Sequence, residues 1–202
     1  MEIPEKNIFV YGLSFEHKEV RSPLYDEWKP VNKPGFHVLL AHGGDLSCCP
    51  MDFTGLAAAG FDYVALGHSH KPHTVCRDKI AYSGSLEPLD RNDLGKHGYI
   101  QGEYEDGNVK VRLVPCANRS YQNLVLNVDR DTTQYKLEEM LRSEVMRRGG
   151  RNIYRLILKG RVSPDNVLLT ERLHGLGNIV EIMDESRPAY LSLIHISEPT
   201  RH

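Results

Sequence analysis

FDYVALGHSHKP, residues 61 to 72, runs a short apolar stretch straight into two histidines, His68 and His70. Asp62 to Leu66 reads as a buried strand, and GHSH follows it at once. Upstream, LLAHGG (residues 39 to 44) is built the same way: the apolar run Phe36 to Ala41 ends on His42. Continuous runs of this length suit strands buried on both faces, as in an α/β sandwich. Between them, Met51 to Ala59 is alanine-rich and helical in character, with Gly60 as its stop. Strand, helix, strand predicts a βαβ unit with parallel neighbours. His42, His68 and His70 then stand at the carboxyl ends of adjacent strands, the edge where open α/β sheets place ligands. Residues two apart in extended backbone point the same way, so His68 and His70 address one site from one side. Gly43, Gly44 and Gly67 leave room for close backbone approach. Neutral imidazole ligates zinc, manganese or iron. A single such histidine reads as an ordinary loop residue; three at two consecutive strand ends favour metal ligation.

Working outward, Asn7 to Leu13 reads as a further strand. Residues 21 to 35, with Pro23, Pro30, Pro34 and Gly35, read as an irregular connection. After the histidines come four short strands: Thr74 to Cys76, Lys79 to Tyr82, Tyr99 to Tyr104 and Val109 to Pro115. The last two are joined by the hairpin signal Glu105-Asp106-Gly107-Asn108. A second unit begins near Ala117. Tyr121 to Val128 alternates as a strand. Asp131 to Arg148 is an amphipathic helix with apolar Tyr135, Leu137, Met140, Leu141, Val145 and Met146, capped by the Asp131-Thr132-Thr133 group and stopped by Gly149-Gly150. Asn152 to Leu158 is a strand, Pro164 to His174 a short helix, and Asn178 to Ile182 a strand. The fold class is α/β: a domain over residues 1–116, then a small α/β cap over 117–190.

The chain has 202 residues, 40% hydrophobic and 26% charged, which fits a globular protein rather than a disordered one. No apolar run reaches the roughly 18–20 residues of a membrane span, and the N-terminus lacks the pattern of a secretory signal, so the expected compartment is the cytoplasm. A net charge of −2 lends nucleic-acid binding no support by itself and does not exclude it, since a local patch or a bound metal can supply the positive field. Cys48, Cys49, Cys76 and Cys116 form no C-x-x-C pair, which argues against a structural zinc site and for reduced thiols.

LLAHGG, FDYVALGHSHKP and AYSGSLEPLDRNDLGKHGY (residues 81 to 99) together resemble the calcineurin-like metallophosphoesterases. Among these they are most similar to bacterial DNA repair exonucleases of the SbcD or YhaO type, over about residues 7 to 190. The resemblance implies a β-sandwich flanked by helices with a capping domain that helps position DNA. It implies two divalent metal ions, with manganese the leading choice and zinc or iron the others. His42 and His68 would bind one ion, and His70 the other. It implies metal-dependent phosphodiester hydrolysis on DNA, an ATPase subunit of the SbcC type and a second copy of the chain as partners, and no membrane. A phosphoesterase acting on nucleotides or phosphoproteins, and a non-catalytic binding module, are the rival readings.

The same family carries D-x-H, G-D-x-x-D and G-N-H motifs ahead of these histidines, and none occurs here. Residues 191 to 201, LSLIHISEPTR, resemble the translation of a transposase-type sequencing adapter, so the expectation is a chain cut at both ends, with His195 and His202 outside any site. Two divalent ions about 3.7 Å apart repel by about 18 kcal/mol at an effective dielectric near 20, which carboxylates normally offset. Three neutral imidazoles bring no negative charge. The expectation is therefore an inactive fragment holding at most one zinc-like ion on His42, His68 and His70, with an exposed sheet edge and poor solubility. Other residues stay open: His73 as surface loop or substrate contact, His97 as turn structure or site rim, Asp45 as plain turn or support for an imidazole. Asp90, Arg91, Asn92 and Asp93 read as a polar cluster or a solvated loop. Arg147, Arg148 and Arg151 read as a phosphate-contact patch or as cations complementing a helix C-terminus.

Overall fold

A computed structural model describes residues 1–17 and 20–189. The tail read as adapter sequence, with His195 and His202, lies outside the described residues. The chain divides into two compact units, Met1–Ser120 and a second from Tyr121 onward.

The first unit is built on a six-stranded sheet. Its strands are β1 (Glu2–Ile3), β2 (Ile8–Tyr11), β3 (Phe36–His42), β4 (Tyr63–Gly67), β5 (His73–Cys76) and β6 (Ile80–Tyr82), with helix α1 (Phe53–Ala58) between β3 and β4. The spatial order is β1-β2-β3-β4-β6-β5. β2, β3, β4 and β6 run parallel, and the edge strands β1 and β5 pair antiparallel. The expected parallel β3–α1–β4 unit is therefore present, with His42 opposite Gly67 in register. α1 starts where the Asp52 side chain accepts the Thr54 N–H at 3.0 Å. It stops where Gly60 takes a positive φ of +99°.

Burial on two faces was expected of β3, and the structure corrects it. His37, Leu39 and Ala41 are buried, whereas Leu40 on the opposite face is 49% exposed. Leu39 and Ala41 pack with Leu56 of α1 and with Tyr25 and Phe61, and that is the face the apolar core covers. The long connection before β3 is irregular, as its prolines predict, yet it supplies Tyr25 and Trp28 to this core. β7 (Gly98–Glu105) and β8 (Asn108–Pro115) form a separate hairpin turned by Asp106 at φ +50° and Gly107 at φ +79°. The hairpin meets the sheet where Phe36 lies 4.7 Å from Tyr104 between ring centroids. A cavity of about 670 Å³ remains between them, lined by Tyr63, Ala65 and Ala81 from the sheet and Ile100, Val109 and Val111 from the hairpin.

The second unit is a parallel sheet of β9 (Tyr121–Val128), β10 (Ile153–Val162) and β11 (Ile179–Asp184), with β10 central and a two-residue strand β12 (Arg187–Pro188) beside its far end. Helix α2 (Gln134–Arg148) crosses from β9 to β10. The helix begins three residues later than the sequence suggests. Asp129 draws in the Asp131 N–H and the Thr132 hydroxyl, so those residues close a turn and only Thr133 caps. Leu137, Leu141 and Val145 face the core with Leu124, Leu156 and Leu158, while Tyr135 and Met146 are exposed, contrary to the apolar face expected of them. The second expected helix is a 3-10 segment over Thr170–Leu176 rather than a helix from Pro164. Ahead of it, Asp165 and Leu169 give their N–H groups to the side chains of Ser163 and Gln134 instead of to helical carbonyls. No helix among the described residues is long and apolar enough to cross a membrane.

Candidate metal centre

β3 ends on His42, and β4 ends one residue before His68. Because the strands are parallel neighbours, the two rings meet edge to face with centroids 5.4 Å apart. Gly67 makes the approach possible, since a Cβ there would fall 3.0 Å from His42 Nδ1. The loop after β3 is fastened by the Tyr82 hydroxyl, which donates to the Gly43 carbonyl at 2.7 Å. Gly43 and Gly44 hold φ of +123° and +109°, the conformations for which glycine is suited. His68 itself sits at φ +99°, a region that costs a non-glycine residue about 1–3 kcal/mol and clusters at functional sites. Burial, and then the neighbouring His68, push the His42 pKa down, which favours the neutral ring that a metal requires.

Asp45 organises this end of the site. Its Oδ1 accepts the Ser47 hydroxyl at 2.6 Å and the N–H groups of Ser47 and Cys48 at 2.8 and 2.9 Å. Its Oδ2 lies 2.7 Å from His68 Nε2. The Ser47 hydroxyl and then the His68 ring hold its carboxyl well below the usual range. Ionised, Asp45 can only accept, so the contact is made by an Nε2–H donor of His68, which leaves Nδ1 as the ring atom open to a cation. Asp45 fills both roles open to it: Oδ1 closes the turn and Oδ2 meets an imidazole. Cys48 comes round with this loop. One donor atom each from His42, Cys48 and His68 lie within 4.8 Å of one another.

His70 joins a different group, with Asp90 and Asp93, again within 4.8 Å. The three imidazoles do not form one such group. His70 Nδ1 stands 3.5 Å from Asp93 Oδ2, whose carboxylate is nearly buried and accepts the Leu89 and Asp90 N–H groups. His97 is fully buried beneath. Its ring contacts the Asp93 carbonyl at 3.0 Å and the Ser85 hydroxyl at 3.1 Å, and the Ser85 N–H in turn donates to the His70 carbonyl. His97 thus holds the backbone of this group. His73 stacks on Tyr82 at 4.4 Å and its Nδ1 lies 3.1 Å from the Lys71 carbonyl.

Both donor sets fit divalent cations: two imidazoles and a thiol on one side, an imidazole and two carboxylates on the other. Cys48 and the facing of Asp93 toward His70 were missed from sequence. The only signals for them were a Cys three residues after Asp45 and the acidic pair Asp90 and Asp93 in an otherwise polar loop. In the second unit, Arg147 and Arg148 both bind the Glu144 carboxylate, at 2.7 and 2.9 Å, and hold its pKa down to about 2. Two guanidinium charges therefore share one carboxylate, and Arg148 also donates to the Asn123 carbonyl.

No family model matches the chain. The chain is similar to the uncharacterised metallophosphoesterase YhaO of Bacillus subtilis (strain 168), 22% identical over 162 residues that cover 75% of this chain. It spans 40% of the length of that relative. With paired histidines at the carboxyl edge of a parallel sheet, the chain is a distant homologue of a metallophosphoesterase.

Proposed function

We propose that these residues belong to a metal-dependent phosphodiesterase that acts on DNA as a repair exonuclease. One observation carries the reading: His42 and His68 come together at the ends of adjacent parallel strands, rings 5.4 Å apart. His42 and His68 hold one ion, and His70 shares in holding a second. Bound divalent ions, manganese first and zinc or iron as the others, supply Lewis-acid polarisation of a phosphoryl oxygen and a more acidic water. The residues of this chain orient those ions. Asp45 fixes the ring and tautomer of His68, and the buried Asp93 carboxylate stands behind His70. Asp45, Asp90 and Asp93 also supply negative charge that the histidines lack, though among the described residues the two donor groups share no carboxylate. On this reading these donors alone are inactive, and catalysis requires a bridging carboxylate of the kind that D-x-H and G-D-x-x-D motifs supply. DNA, an ATPase subunit and a second copy of the chain are its partners, in the cytoplasm.

The test is to follow the reading frame upstream of Met1, express the extended protein, and incubate it with linear duplex DNA and, separately, a small phosphodiester in manganese. Degradation of the DNA, lost in His42→Ala and in His70→Ala, supports the reading. Turnover of the small ester with no action on DNA removes the nuclease assignment. A frame closed immediately upstream removes the two-ion mechanism.

A further inference from the structure

We propose that Cys48 is the third protein ligand of the ion held by His42 and His68, and that it makes this position selective for zinc-class ions over manganese. The inference rests on the reading above that these two histidines hold a cation, and adds a ligand and a selectivity to it.

The geometry is close to a finished site. The three donor atoms lie within 4.8 Å of one another. A tetrahedral ion with bonds of about 2.0–2.1 Å to nitrogen and about 2.3 Å to sulfur sets its donors roughly 3.4–3.6 Å apart. The largest contraction needed is about 1.2–1.4 Å, which small side-chain rotations supply.

The loop is shaped to deliver the thiol. The Cys48 N–H donates to Asp45 Oδ1 at 2.9 Å and its carbonyl accepts the Gly44 N–H at 2.9 Å. The next residue, Cys49, is fully buried and anchored through its N–H to the Val20 carbonyl at 2.6 Å, with φ +42°. Both cysteines are free thiols. The adjacent pair is thus divided, one cysteine locked into the core and the other turned toward the histidines. A single carboxylate, Asp45, bonds both the backbone of Cys48 and the ring of His68, so two of the three donors are set by one group.

The chemistry follows from the donor set. Thiolate sulfur favours zinc and cobalt, whereas manganese prefers oxygen-rich sets such as His70 with Asp90 and Asp93. Three protein donors on zinc leave a fourth position open, as in catalytic zinc sites. Binding exchanges the thiol proton for the metal: the S–H bond breaks, a sulfur–metal bond forms, and one proton passes to solvent.

The 202-residue chain is titrated with cobalt, zinc and manganese, beside Cys48→Ser, Cys48→Ala and the exposed-thiol control Cys116→Ser. Wild type and Cys116→Ser should show the near-ultraviolet thiolate-to-cobalt charge-transfer band, and both Cys48 variants should lack it. Zinc affinity should fall by roughly 100-fold or more in the Cys48 variants, since even the partners behind metal ligands count for about 10–100-fold. Manganese affinity should stay unchanged. Absence of the band in wild type at saturating cobalt overturns the proposal without recourse to any variant. Zinc affinity that is lost in His42→Ala but untouched in Cys48→Ser overturns it too, and leaves the two-histidine reading standing. Loss of neither would sink both.

Discussion

Replacing His68 tests whether the candidate site holds strain. Its backbone sits at φ +99°, where a Cβ crowds the following carbonyl and glycine alone is at ease. Alanine at this position keeps the strain and loses the imidazole; glycine loses both. Relief of strain is worth about 1–3 kcal/mol. The greater freedom of glycine in the unfolded chain returns roughly 0.5–1 kcal/mol of that. His68→Gly should therefore exceed His68→Ala in stability by about 1 kcal/mol. The hydrogen bond from the wild-type ring to Asp45 offsets little, because both side chains are partly exposed, at 32% and 53%. The expected order is Gly above His, with His level with or slightly above Ala. Trp28, the sole tryptophan, lies in the same core and reports unfolding in urea. With a urea slope of about 1–3 kcal/mol/M, the glycine midpoint should lie roughly 0.3–1 M above the alanine midpoint. An alanine variant as stable as the glycine variant would refute the strain, and with it the view that this position trades stability for ring placement.

Gly67→Ala places a methyl against His42 Nδ1 and should displace that ring, lowering zinc affinity by about 10-fold while the fold, read by circular dichroism, persists. In the second unit, Glu144 has a folded pKa of about 2 against an ordinary 4.5, so its pairing stabilises above pH 4.5 and that contribution is lost as pH falls toward 2. Glu144→Gln should accordingly lower the melting temperature at pH 7, more in low salt than in high, and leave it unchanged near pH 2; an equal loss at both pH values would mean that the ion pairs do not stabilise the unit.

The sequence by itself determined the parts of this protein that are written locally. Apolar runs ending on His42 and just before His68 gave β3 and β4, because short-range sterics and burial fix a strand without knowledge of its partners. A helix-length segment between them required the parallel pairing, since only a crossover can join such strands. Asp106-Gly107 turned the hairpin, and Gly149 stopped α2, through backbone angles open mainly to such residues. Where a local reading failed, a side chain had competed for the backbone, Asp129 and Ser163 from within three residues and Gln134 from 35 away. Asp129 shortened α2, and Gln134 and Ser163 took the N–H groups that a helix from Pro164 needed. Tertiary structure alone decided the donor sets. Cys48 meets His68 across nineteen intervening positions because Asp45 bonds to both, and Asp93 meets His70 because buried His97 holds its backbone. Those are loop contacts with no periodicity behind them, and loop chain carries no rule that says which side chain it will face. The sequence named the histidines; closure of the loops around them chose the sulfur and the carboxylates that stand beside each.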